Sequence, residues 1–171
     1  MELAVLNWIQ TLRTDWLDGV MVSVSTLGDA GAVWIVLALT LLCFPRTRRA
    51  GVTVALALVL DVIVCNGVLK PLFDRVRPCV VNPAVELLAA CPTDASFPSG
   101  HTAASFAAAG ALRAAGSRLW MPGLVLAVLI AVSRLYLYVH WPTDVLAGGL
   151  LGWGLGYAAR SLLSRIQKLR K

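Results

Sequence analysis

Residues 50–78 read AGVTVALALVLDVIVCNGVLKPLFDRVRP. The first part, 50–69, contains one charged side chain, Asp61. As a helix rising 1.5 Å per residue it extends about 30 Å, the thickness of a bilayer's hydrocarbon core. At Lys70 the character reverses, and the chain adds Asp74, Arg75 and Arg77-Pro78 in quick succession. Charged groups at the end of an apolar helix are expensive in a membrane and need a task.

Outward from this run, 98–117, 120–139 and 143–163 have similar length and character. A fifth stretch, 30–44, is shorter and closes on Pro45 and a basic cluster. The pattern predicts an all-α, polytopic membrane bundle of five transmembrane helices, forming one domain over 1–171. Residues 1–28 are expected to be interfacial helices, not a signal peptide. Leu3, Leu6, Ile9 and Leu12 recur about every three residues, and Trp16 to Leu27 is apolar but stops at Gly28-Asp29. A sixth span through 4–27 is disfavoured by Arg13, Asp15 and Asp18.

Composition agrees with a membrane protein. The chain is 58% hydrophobic and 14% charged, with a mean hydropathy of +0.77; soluble domains have roughly 45–50% apolar and about 25% charged residues. The net charge of +6 comes from few acids and from arginines at span ends. No basic helix or aromatic-interleaved basic patch accompanies it, which argues against nucleic acid as a partner. The cysteines form no CxxC and have no histidine at zinc-ligand spacing.

The charges also set sidedness. The side opposite the 70–97 loop collects Arg46, Arg48, Arg49, Arg113, Arg118, Arg160, Arg165, Lys168, Arg170 and Lys171. The loop side has Lys70, Arg75, Arg77 and Arg134. Cytoplasmic flanks are the ones enriched in Lys and Arg. The loop is therefore expected to be extracytoplasmic in the cell membrane, and the C-terminus cytoplasmic.

Three polar groups share the loop side: Lys70 to Arg77-Pro78; Phe97-Pro98-Ser99-Gly100-His101; and Ser133-Arg134 followed by His140-Trp141-Pro142-Thr143-Asp144. Lys70, Arg77 and Arg134 suit a dianion, arginine's planar fork matching phosphate oxygens. Ser99 and Gly100 stand at a helix start, where free N–H groups favour anions. Asp144 falls in the first turn after Pro142, close enough to orient His140. His101 is left to protonate a departing oxygen. Singly, each has a plainer reading: a snorkelling anchor, a helix start, a structural His–Asp pair. Arg75 and Asp74 are read as anchors. Asp61 is either functional or packed against a polar neighbour such as Asn66 or Ser105. The joint occurrence on one face is what the plainer readings do not absorb.

Cys79 and Cys91 lie in the same loop. An outward-facing loop would let them form a disulfide, although the sequence does not establish their separation and leaves free thiols open. Cys43 and Cys65 fall at the end of one span and inside another.

Lys70 with Arg77-Pro78, then Pro98-Ser99-Gly100-His101, then Arg134 with His140 and Asp144, resembles the three-part signature of the phosphatidic acid phosphatase type 2 superfamily. The resemblance implies a membrane lipid phosphatase working through a phosphohistidine. His140 would attack phosphorus, Asp144 orient it and His101 protonate the leaving oxygen. Lys70, Arg77, Ser99, Gly100 and Arg134 would hold phosphoryl oxygens, with no cofactor and no metal. The implied partners are a membrane lipid phosphate and the bilayer itself. The chain looks most like small bacterial enzymes acting on undecaprenyl diphosphate. Phosphatidylglycerol phosphate, phosphatidic acid and lipid A phosphates remain alternatives. An inert headgroup-binding or transport protein is the competing class, and oligomeric state is open.

Overall fold

Helices make up the regular structure of the described residues, which are 1–169 of this computed structural model. Arg170 and Lys171, counted above with the basic flank, lie outside the described residues. Two short amphipathic elements come first, α1 (Glu2–Gln10) and α2 (Asp15–Leu27). Thr14 starts α2 by accepting the Leu17 N–H on its hydroxyl at 3.4 Å, the ordinary use of a short hydroxyl side chain at an N-cap. A 3₁₀ turn, Asp29–Gly31, with Ala30 at φ 50 and Gly31 at φ 70, separates α2 from α3 (Ala32–Cys43). The two flanking helical segments meet at 47°. The expected 30–44 span thus begins two residues late, because left-handed residues cannot continue a helix.

The run quoted first is one long rod of mixed winding. α4 (Arg48–Asp61) passes into a π-helical segment, Val62–Leu69, and then into α5 (Lys70–Phe73). In a plain α-helix Asp61 and Asn66 would stand about 140° apart. Bonding from i to i+5 returns them to one face, together with Lys70. The 70–97 connection includes one more helical turn, α6 (Pro78–Val81).

Three helices complete the bundle: α7 (Gly100–Ala114), α8 (Trp120–Tyr136) and α9 (Pro142–Leu169). α7 and α8 are shorter than the expected 98–117 and 120–139. Extended backbone at Ser99 (φ −68, ψ 110) and left-handed residues at Gly116 and Tyr138 end them. α9 runs past 163 to Leu169. The core gathers Trp34, Val54, Leu112 and Ile130 around the alanines of α7.

α7 and α9 pack backbone to backbone. A Cβ on Gly152 would lie 2.1 Å from the Ala103 carbonyl oxygen, and one on Gly148 would lie 2.7 Å from that of Ser99. Without a hydrophobic force between helices in lipid, close van der Waals packing of small residues is what holds such a pair. Its consequence is positional. The start of α7 and the start of α9 meet at one end, where the Ser99 N–H donates to the Asp144 carbonyl at 3.1 Å.

Candidate active site

His140 is reached through a strained turn. Tyr138 has φ 60, a conformation unfavourable for a residue with a side chain unless the surroundings enforce it. Here Tyr138 is fully buried, its hydroxyl donating to Asn7 Oδ1 at 2.7 Å and accepting from Asn82 Nδ2 at 3.2 Å. His140, 1% exposed, then places Nε2 3.2 Å from Arg77 Nη1. A guanidinium can only donate, so Nε2 carries the lone pair and Nδ1 the proton. Nδ1 faces Ser96 Oγ at 3.4 Å and Asp144 Oδ2 at 3.6 Å. Asp144 is fully buried. It accepts from Ser96 Oγ at 2.5 Å, from the Trp141 N–H at 2.9 Å and from Arg75 Nη1 at 2.6 Å. Burial, opposed by the Asp144 carboxylate and reinforced by Arg77 and Arg134, pushes the His140 imidazole down to about 3. The ring is therefore neutral near pH 7, the form in which a nitrogen can attack.

A cavity of about 460 Å³ opens beside Nε2, and Lys70, Arg77, Gly100, His101, Arg134 and His140 share its wall. Arg77 and Arg134 are 4% and 6% exposed. Arg77 is held by the Val139 carbonyl at 2.8 Å and the Asp94 carbonyl at 2.8 Å. Arg134 donates to Ser25 Oγ, and its buried Nε has no partner among the described residues. Gly100 brings the start of α7 close to Asn66 and Lys70; a Cβ there would sit 3.3 Å from Asn66 Oδ1. Ser99 departs from expectation. It is buried behind the wall, its N–H engaged by Asp144 and its hydroxyl accepting from Thr102 Oγ1 at 3.1 Å. The close α7–α9 approach uses Ser99 to tie the two helices together, not to line the cavity.

His101 reaches the same cavity from the first turn of α7, with Nε2 2.8 Å from Asp29 Oδ1. Asp29 is presented by the bend between α2 and α3. Gly28 makes this possible, since a Cβ there would fall 2.9 Å from the His101 ring. Asp29 thereby fixes the orientation of the His101 ring at the cavity.

Several participants escape sequence reasoning. Arg75 is no loose anchor: Nη1 holds Asp144 and Thr143 Oγ1, and Nη2 holds Glu2 Oε2 at 2.6 Å. Asp94 salt-bridges Lys70 and, at 2.7 Å, Arg77. Burial works against ionisation there, but the Lys70 ammonium and Arg77 guanidinium hold the Asp94 carboxyl at about 2. Ser96 links Asp144 to His140. Asp61 also differs from the packed alternative. Ser105 instead donates to the His101 carbonyl and accepts from Trp34, while buried Asp61 Oδ1 has no partner among the described residues. Asp61 and Asn66 lie on the cavity wall. Asp61 had a signal in the chain as the lone charge of an apolar run, and Asp29 had one in the Gly28-Asp29 break.

Cys79 and Cys91 are bridged, with Cα atoms 6.1 Å apart. The bridge packs on Leu137 and Val139, directly before His140. It thereby joins the segment after Arg77 to the stretch that leads into His140.

Known proteins match this arrangement. The profile of the PAP2 superfamily covers residues 49–168. An undecaprenyl-diphosphatase of Sulfolobus acidocaldarius is 43% identical over 80% of this chain and 66% of its own length; the chain thus spans just under two thirds of that relative. A decaprenylphosphoryl-5-phosphoribose phosphatase of Mycobacterium tuberculosis is 33% identical over 99% of this chain and 95% of its own. Among solved structures, a transmembrane PAP2-type phosphatidylglycerolphosphate phosphatase of Bacillus subtilis superposes with a TM-score of 0.77 at 26% identity, covering 96% of this chain and 85% of the other. By profile, relatives and fold alike, the chain belongs to the PAP2 superfamily and is a membrane lipid phosphatase.

Proposed function

We propose that this phosphatase converts a polyprenyl diphosphate to the monophosphate on the extracytoplasmic face of the membrane, through a phosphohistidine at His140 and without metal. The observation that carries the mechanism is His140 Nε2, unprotonated and beside Arg77 at the cavity wall. Nε2 attacks the terminal phosphorus as the bond to the bridging oxygen breaks, and His101 gives that oxygen its proton. Water then attacks phosphorus and yields a proton to His101. The P–N bond breaks, releasing inorganic phosphate and the neutral imidazole. Lys70, Arg77 and Arg134 stabilise the equatorial oxygens, the role that metal ions fill in other phosphoryl-transfer sites.

The substrate class is supported by the similarity to the archaeal undecaprenyl-diphosphatase. One observation favours a second reading, a polyprenyl-linked sugar phosphate. Asp61 Oδ1 on the cavity wall lacks a donor among the described residues, and a sugar hydroxyl supplies one; the mycobacterial relative is named for such a substrate. The outward orientation, the five spans and the interfacial placement of residues 1–28 rest on the distribution of basic and apolar residues along the sequence.

Detergent-purified protein, in excess chelator, should release phosphate from undecaprenyl diphosphate faster than from phosphatidic acid or phosphatidylglycerol phosphate. Faster release from a polyprenyl phosphoribose phosphate would select the second reading. A strict need for added magnesium would refute the metal-free mechanism. For sidedness, an impermeant thiol reagent on intact cells should label a single cysteine placed within 82–90 and spare one placed near Arg48.

A further inference from the structure

At the end of the bundle away from the catalytic cavity, the first turn of α4 and the last turns of α9 enclose a cleft of about 360 Å³. Arg48, Arg49 and Arg160 converge on it, with Gln167 beside them and Val52 and Leu163 as its apolar wall. Arg160 lies sixteen residues beyond Asp144 on the same helix, roughly 24 Å along its axis, so this cleft is separate from the phosphatase site.

Its chemistry is that of an anion site. Arg160 Nη1 is buried and has no acceptor among the described residues. Arg48 Nε is held by the Leu42 carbonyl at 3.3 Å, and no carboxylate pairs with Arg48, Arg49 or Arg160 among the described residues. The reason is visible in the chain: all nine acids fall within 2–29 or 61–144, and the two that α4 and α9 carry, Asp61 and Asp144, stand at the opposite ends of those helices from the cleft. α4 starts there without a side-chain cap, so the positive end of the helix dipole adds to the guanidinium charges. Grouped, mutually repelling cations with a desolvated N–H call for an anion from outside the chain. The cleft lies between the ends of two bundle helices, and basic pockets between such helices suit lipid headgroups.

We propose that this cleft binds the headgroup phosphate of an anionic phospholipid in the leaflet opposite the catalytic site. The arginines take the phosphate oxygens, Gln167 offers a polar contact to the headgroup, and Val52 and Leu163 meet the start of the acyl chains. The proposal is independent of which lipid the catalytic site dephosphorylates.

Native mass spectrometry of the full chain in neutral detergent tests it, with phosphatidylglycerol and phosphatidylcholine as probes. The parent should retain one phosphatidylglycerol at concentrations where phosphatidylcholine does not bind, and Arg49→Gln/Arg160→Gln should weaken that retention about tenfold or more. Hydrolysis of a short-chain lipid phosphate should be unchanged in the double variant, since no cleft residue reaches the cavity; this also shows that the variant is folded. If it does not fold, Arg49→Gln alone is scored against the same expectation. Equal retention of both lipids by the parent would overturn the proposal, as would undiminished retention by the folded variant. Displacement of the lipid by millimolar inorganic phosphate would show that the cleft takes free phosphate, and would equally overturn the assignment to a lipid.

Discussion

Arg75 Nη1 lies 2.6 Å from Asp144 Oδ1, while Nη2 of the same guanidinium lies 2.6 Å from Glu2 Oε2. One side chain thus ties the buried carboxylate behind His140 to the N-terminal helix. Glu2 completes the link by accepting the Thr143 N–H at 3.0 Å, beside Asp144. Helix α1 is in this way part of the support of the candidate active site.

Arg75→Gln removes a charge-assisted bond of about 1.5–3 kcal/mol from that support. We expect kcat to fall roughly 10- to 100-fold. KM should change little, because Arg75 is not on the cavity wall. Steady-state kinetics on one lipid phosphate check this. An effect confined to KM would place Arg75 on the substrate instead.

Asp94 occupies two of the cations that the mechanism assigns to phosphate, Lys70 and Arg77. Its carboxyl sits at about 2. The pair therefore persists through the working range and is lost only as pH falls through that value. Asp94→Asn should free both cations and tighten inhibition by vanadate several-fold. Weaker vanadate binding would mean that Asp94 instead holds Arg77 in its working position.

In the proposed mechanism the depressed His140 imidazole keeps its own protonation out of the neutral pH range. A nucleophile held at about 3 stays unprotonated as pH falls through 6.5, the ordinary histidine value. Corrected for the ionisation of the substrate, kcat/KM should show no loss from nucleophile protonation between about pH 4 and 7. A loss centred near 6.5 that His101→Ala leaves in place would contradict the buried, neutral ring.

The bridge between Cys79 and Cys91 leaves Cys43 and Cys65 free. Protein never exposed to reductant should titrate two thiols when denatured, whereas four would remove the bridge from the account. Cys79→Ser/Cys91→Ser should lose stability, by up to about 3 kcal/mol for a loop of this length, and lose activity through the Val139–His140 wall.

The cavity residues Lys70, Arg77, Gly100, His101, Arg134 and His140 were legible because each has a chemistry-bearing type at a helix end. Antiparallel apolar helices leave those ends few places to go. Ser99 was misplaced because its spacing does not reveal that the Gly148 and Gly152 contacts press α9 onto the start of α7 and consume its N–H. Arg75, Ser96 and Asp94 were not legible as participants. Arg75 and Ser96 meet Asp144 across 69 and 48 residues of chain, and Asp94 reaches Lys70 across 24; no local pattern encodes such pairings. The π segment was hidden as well, since an apolar run looks alike in either winding. The Asp61–Asn66 alignment emerges only with it.

The proposed mechanism turns on a covalent bond between His140 Nε2 and phosphorus. The direct measurement is peptide mass spectrometry of protein quenched in alkali during turnover, using His101→Ala and a substrate with a good leaving group. Without His101 to activate water, the intermediate should accumulate, and the phosphoryl group should be found on the peptide containing His140 and absent from His140→Ala. Turnover by His140→Ala near the parent rate, or a phosphoryl group on any other residue, would contradict the account.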